Sequence, residues 1–295
     1  MTTPHALKPA LTGNTMQVDV ALNQVQYIES KIAELTDGDL LIDKFFSPFG
    51  QQITAGGLLY HVVTRADFFT ARDVEPRTPG AEYPVVEGVQ PEPRLALVED
   101  YGGKIEVLDE TRARNDIRKF SNQVLQLTNT LKLKLDNAAL KAINDCADIE
   151  VYSPSNNWEN LVFVGPLDEI TPSSQRPTAH FAEAQLLATL EEMGVKHDLI
   201  VMNPTQEMQL RVAYAEGLQA MLTGAGLSIY SNPRIPEGVL YALERGRVGA
   251  VGFEVPLTVE PIPDRAHRQT IVQAYAVPAF AVDRPNAIKK IVLPA

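Results

Sequence analysis

Five histidines and one cysteine are the residues through which this chain could hold a metal or attack an electrophile. His5, His61, His180, His197 and His267 are scattered, and no two stand at the HxxxH spacing that puts two imidazoles on one helix face. His180 and Glu183 share a helix turn, which an ordinary helix start explains without a ligand role. Cys146 has no CxxC partner, and at the end of a long helical pattern it reads as a small buried residue rather than a nucleophile. Gly224-Ala225-Gly226 lacks the third glycine of a dinucleotide loop and precedes Ser228-Ile229-Tyr230 instead of opening a helix. Gly102-Gly103-Lys104 lacks the upstream glycine of a phosphate loop and reads as a hairpin turn. There is no GxSxG elbow, and the acid pairs Asp109-Glu110 and Glu191-Glu192 fit solvated helix ends. The sequence therefore offers no catalytic, cofactor-binding or metal-binding constellation, and no enzyme is expected.

The composition narrows the remaining classes. The chain has 295 residues, 45% of them hydrophobic and 21% charged, which supports a packed core and excludes a disordered tail. Its length fits one large domain or two small ones. A net charge of -11 and dispersed basic residues disfavour tight binding to nucleic acid, because phosphate affinity needs clustered Lys and Arg. A single cysteine forms no internal disulfide and fits a reducing compartment. The start, MTTPHALKPALTGNT, has neither the basic nor the apolar region of a secretory signal, and no apolar run has the length of a membrane span. A soluble cytosolic product is the expectation.

The elements that must organise such a chain are uneven. Residues 1–14 read as a mobile arm. Val18, Leu22, Val25, Ile28, Ile32 and Leu35 then recur at helical steps up to Asp37-Gly38-Asp39. Two β-prone runs follow, GGLLYHVVT at 56–64 and RLALVEDYGGKIEVLD at 94–109. Between them, residues 70–94 hold Pro76, Pro79, Pro84, Pro91 and Pro93 and little that can be buried. Compact domains rarely carry loops beyond about 12–15 residues unless the loop has a function or a partner. The strongest local signal is the stripe Ala113, Ile117, Phe120, Val124, Leu127, Leu131, Leu135, Ala138 and Ala142, one helix face with Asp109 or Thr111 placed to cap it. Without Gly or Pro over about 36 residues, the helix would reach about 54 Å, which suits an elongated subunit better than a compact enzyme. Beyond Cys146 the chain is irregular. An α/β pattern then follows: helices in AHFAEAQLLATLEEMGV and PTQEMQLRVAYAEGL, a buried strand in DLIVMNP, an exposed loop in LTGAGLSIYSNPRIPEG, and short β runs from 238 onward.

In this order of parts the chain resembles the major capsid proteins of tailed bacteriophages, the Hong Kong 97-type capsid fold family. The stretches that carry the resemblance are LYHVVTRADFFTARDVEPRTPGAEYPVVEG, VEDYGGKIEVLDETRARND and IPEGVLYALERGRVGAVGFEVPL. It covers about residues 18 to 295 as an ordered pattern rather than as any one motif. The fold it implies is α+β. Residues 1–50 would be an N-terminal arm and 51–108 an extended-loop region lying across a neighbouring subunit. Residues 109–179, completed by 251–295, would form a peripheral domain with a spine helix. Residues 180–250 would form an axial domain whose loop near 222–236 faces the capsomer centre. The implied function is self-assembly of pentamers and hexamers into an icosahedral shell around double-stranded DNA, with no cofactor.

On that reading the charges of the loop, Arg72, Asp73, Glu75, Arg77, Glu82, Glu87 and Arg94, are candidate intersubunit contacts, each exposed pair contributing only about 0–1 kcal/mol. Some relatives join subunits by a Lys–Asn isopeptide bond. The one lysine between Lys44 and Lys119, Lys104, sits away from the loop tip and is poorly placed for it. Expected partners are further copies of the chain, a scaffolding protein from a separate gene if one is used, portal and decoration proteins, and weak non-specific contact with packaged DNA, with no membrane. The expected location is the virion capsid, assembled in the bacterial host cytoplasm. Two other readings stand beside it: an encapsulin-type nanocompartment shell and, in a different class, a metabolic α/β enzyme with a long helical arm.

Overall fold

The computed structural model describes residues 11–12, 15–16, 40–70, 74–88, 91–114, 117–166 and 168–294. Of the first 39 residues only β1 (Leu11–Thr12) and β2 (Thr15–Met16) are described, paired antiparallel. The helical pattern from Val18 to Leu35 lies outside the described residues. The remaining elements, in chain order, begin with α1 (Ile42–Phe45), β3 (Phe46–Pro48), β4 (Gly57–His61), β5 (Pro93–Leu97) and β6 (Tyr101–Leu108). Then come α2 (Asp109–Ala113), α3 (Ile117–Asp145), β7 (Val151–Tyr152), α4 (Pro177–Leu190), β8 (Leu199–Met202), α5 (Pro204–Tyr214) and α6 (Leu218–Ala225). β9 (Ser228–Ser231), β10 (Val239–Leu243), β11 (Gly249–Asp264), β12 (Gln269–Ala281) and β13 (Ile288–Val292) complete the chain.

The stripe read from the sequence lies on α2 and α3, the latter of 29 residues and about 43 Å in length. Phe120, Val124, Leu127 and Leu131 are buried against Val107, Val259, Val272 and Ala274 of β6, β11 and β12. Past Leu135 the buried apolar positions are Ala139, Leu140 and Ile143, while Ala138 and Ala142 are only half-buried. The face turns because the partner changes: here the helix packs on Leu41, Phe45, Leu199, Val201 and Tyr241 of a second core.

Two sheets lie against this helix. In the first, with strand order β3-β11-β12-β6, β11 and β12 form a long antiparallel hairpin from Ala250↔Ala281 to Asp264↔Gln269. Its register shifts near Val255 and Thr258, flanking Pro256, which cannot donate to a ladder. Gly102 and Gly103 are not the expected turn. They lie inside β6 opposite Tyr275 and Ala274, and β5 and β6 do not pair with each other. A Cβ on Gly102 would come 2.9 Å from Tyr275 Cβ, and one on Gly103 would come 2.7 Å from Leu127 Cδ1. The two glycines are there so that strand, neighbour and helix can approach closely.

The second sheet has order β7-β13-β10-β8-β9. Its residues alternate between two cores, as the two-residue period of a strand requires. Leu199, Val201, Tyr241, Leu243 and Ile288 face α1 and the end of α3. Ile200, Met202, Leu240, Ala242 and Ile291 face α4, α5 and α6. β13 runs beside β10, so the segment 251–295 divides between the two sheets. The stretch expected as an exposed loop, 222–238, is helix and strand in its first part, through Ser231, and a loop only from Asn232 to Gly238. Leu218 and Leu222 bury the face of α6, and Gly226, at φ +69°, supplies the left-handed cap that turns the chain into β9, parallel to β8.

Asp136 ties three regions together. Buried on α3, it accepts from the Leu41 N–H (2.9 Å) and pairs with Arg234 from the loop after β9. Burial raises its carboxyl to about 6, against the lowering effects of Arg234 and the Leu41 N–H. The folded chain thus holds this proton more tightly than the unfolded one. The group's share of stability is full below its ordinary value near 3.8 and is lost as the pH rises from about 4 to about 6. Asp136→Asn keeps an acceptor for Leu41 and loses the titration. The unfolding midpoint of the variant minus that of the wild type is expected to grow across that interval and stay level above it. A difference that is constant from pH 4 to 8 would contradict this account.

Candidate functional site

The residues capable of chemistry remain apart. Among the described residues no group of three or more His, Cys, Asp or Glu could hold a metal ion. His180, buried on α4, accepts the Trp158 indole N–H at 3.1 Å, and His267 pairs with Asp264 at 2.7 Å on the β11–β12 tip. His197 is buried and His61 exposed, while His5 lies outside the described residues. Cys146 is half-buried at the end of α3, and burial pushes its thiol up, away from the thiolate a nucleophile needs.

The unusual surface is the ribbon β4–β5. Its register pairs Leu58 with Ala96 and Leu59 with Leu95, so alternate residues point to opposite sides. The inner side docks: Leu58 packs with Ile53, Ala279 and Ala281, and Tyr60 and Ala96 lie against the same cluster. On the outer side Leu59, Leu95 and Leu97 are 64%, 59% and 69% exposed. Three neighbouring leucines facing solvent on a two-stranded ribbon mark a contact surface. The alternation in LLYH and RLAL carried this signal; the sequence reading attended to the charges between the runs and passed over the leucines.

From the ribbon the chain enters the proline-rich loop. Thr64 and Asp67 cap a 3-10 turn at Arg65–Asp67, and Arg65 pairs with Glu192 of the second sheet's helical layer. Residues 74–88 form no helix or strand and leave Val74, Tyr83 and Val85 exposed. Of the candidate contact residues, Arg72 and Asp73 lie outside the described residues. Glu75, Glu82 and Glu87 are exposed on the loop. Arg77 lies over the Tyr83 ring at 4.8 Å and donates to the Ala81 carbonyl at 3.0 Å, which holds the Gly80 turn. Arg94 stands on the inner side of the ribbon and makes an ion pair of 2.5 Å with Asp148 of its own chain. Lys104 is in the middle of β6, opposite Gln273 and 3.5 Å from Glu106. Among the described residues no helix is long and apolar enough to cross a membrane.

Comparison with known proteins gives these features a setting. The family model for phage capsid proteins matches residues 91–291. No curated protein matches the chain. Among solved structures, the virus-like particle from Pyrococcus furiosus is similar with a TM-score of 0.59 at 12% identity, covering 90% of this chain and 98% of that one. The capsid of Cyanophage P-SCSP1u gives 0.64 at 11% identity, covering 86% and 88%. The capsid of Myoviridae Phage XM1 gives 0.58 at 12%, covering 87% and 92%. At these identities the likeness establishes the fold.

Proposed function

Because the chain belongs to the phage capsid protein family and has the Hong Kong 97-type capsid fold, we propose that its copies assemble through pentamers and hexamers into an icosahedral shell around the double-stranded DNA genome of a tailed phage. The family is one of structural proteins rather than enzymes. The observation that carries the proposal is the ribbon, whose outer leucines are left exposed by the described residues of the chain. A second copy supplies the missing surface. Head-to-tail contacts repeated around a symmetry axis satisfy every copy in the same way.

In this reading residues 1–50 are the arm and 51–108 the extended loop region across a neighbour. The peripheral domain comprises 109–179 with 251–295, and the axial domain 180–250. The packing of α3 on β6, β11 and β12 supports the peripheral unit, and β13 stitches it to the axial sheet. Glu75, Arg77, Glu82 and Glu87, with Arg72 and Asp73, then serve as contacts to the next copy, while Arg94 holds the ribbon to its own subunit through Asp148. The subunit's net charge of -11 lets the genome slide against the shell, because the wall has little cation to grip phosphate. Scaffolding, portal and decoration proteins are the further partners, and assembly takes place in the host cytoplasm before the chain becomes part of the virion.

Content distinguishes this from a nanocompartment. Particles built from this chain during infection are expected to hold nuclease-resistant double-stranded DNA, released on disruption. Particles that carry a protein cargo and no DNA would contradict the proposal.

A further inference from the structure

Between α4 and α6, over a floor that includes Ile200 and Ala242, lies a cleft of about 520 Å³. Phe181, Ala182, Met221 and Leu227 make its walls apolar. The wall also includes His197, buried, with neither ring nitrogen hydrogen-bonded among the described residues. Elsewhere in the same helical layer α5 exposes Met208 and Val212, four residues apart and so on one helix face. Neither side chain lines the cleft. An apolar knob and an apolar hole at different places on one subunit can meet only between two copies, and such a contact closes into a ring when the rotation allows.

The charges at the two places are complementary. Lys196 stands exposed on the cleft wall, and Glu216 is exposed just beyond the end of α5. Neither has an ion-pair partner among the described residues. The size also fits, since a cleft within the range of about 300–1,000 Å³ takes a group as large as two side chains.

We propose that Met208 and Val212 of one copy insert into the α4–α6 cleft of the next copy around the ring, with Glu216 facing Lys196. This rests on the shell reading above and adds to it a named contact between helical layers. Cys146 follows the end of α3 and does not line the cleft, so introduced cysteines can report the contact.

The test is the double variant Ala182→Cys with Val212→Cys, assembled and then oxidised with oxidised glutathione. A disulfide forms only if the two Cα atoms come within about 4.4–6.8 Å. The expected result on a non-reducing gel is a ladder climbing from dimer to the five- and six-chain bands. It collapses to monomer with reductant and is absent from either single variant. Particles that form normally but give only monomer, or a ladder that a single variant gives equally, would overturn the pairing. Ala182→Trp supplies a second readout by filling the cleft. It is expected to give subunits with the wild-type unfolding midpoint that form no rings or shells, and shells of wild-type form from this variant would also overturn the pairing. A wild-type protein that never assembles would instead refute the shell reading itself.

Discussion

Replacing Leu59, Leu95 and Leu97 together by glutamate is expected to abolish shell formation while leaving the isolated subunit folded. The three side chains share the outer side of the β4–β5 ribbon and are mostly exposed in the single chain. Burying each against a neighbour contributes about 1.5–3 kcal/mol, so one ribbon contact loses roughly 5–9 kcal/mol. Each 1.4 kcal/mol is about a factor of ten, and the contact constant therefore falls by at least about a thousandfold. The buried carboxylates add a further desolvation cost. In the isolated subunit the same changes touch solvent, where substitutions usually fall within about 0.5 kcal/mol. The measurement pairs electron microscopy of the variant with its thermal unfolding. Particles of normal form and yield would contradict the role given to the ribbon.

Trp158→Ala is expected to have the opposite profile, a large loss of subunit stability with no direct effect on the contact surface. Trp158 is 1% exposed in a stretch without regular structure, and it closes the core shared by α4, α5, α6 and the second sheet. Its indole donates to His180 Nδ1, and its ring meets Phe181 edge-on at 5.7 Å. Removing a buried Trp costs about 3–5 kcal/mol in cavity and transfer terms. His180→Phe retains the volume and leaves the indole N–H without its acceptor, an expected cost of about 1–3 kcal/mol. Denaturant unfolding of the unassembled subunit checks both. A Trp158→Ala midpoint equal to the wild type would show that the irregular segment does not hold this core.

The contrast between these two variants follows what the sequence could and could not reveal. The stripe from Phe120 to Leu135 was legible because it buries one face and a single period therefore runs through it, whereas β10 and β13, buried on both faces, were legible as short apolar runs. Gly102 and Gly103 misled as turn residues, because their purpose is the approach of Tyr275 and Leu127, which are distant in sequence. The first part of the stretch 222–238 misled for a related reason. Gly224 and Gly226 suggest a loop, yet Gly226 ends a helix whose Leu218 and Leu222 are buried under distant elements. Asp136 could not be recognised as a buried junction, since its partners Leu41 and Arg234 are 95 and 98 residues away. Of the contact surface, the loop charges were visible from composition. The leucines needed the ribbon's register before their common side appeared.

A subunit built to be completed by its own copies must assemble when purified, and electron microscopy of the wild-type chain, alongside its mass in solution, tests this most directly. Closed icosahedral particles are predicted, at sixty or more 32.4 kDa copies or about 1.9 MDa and above, or rings and sheets of five and six subunits. A uniform dimer or tetramer that never assembles further would contradict it.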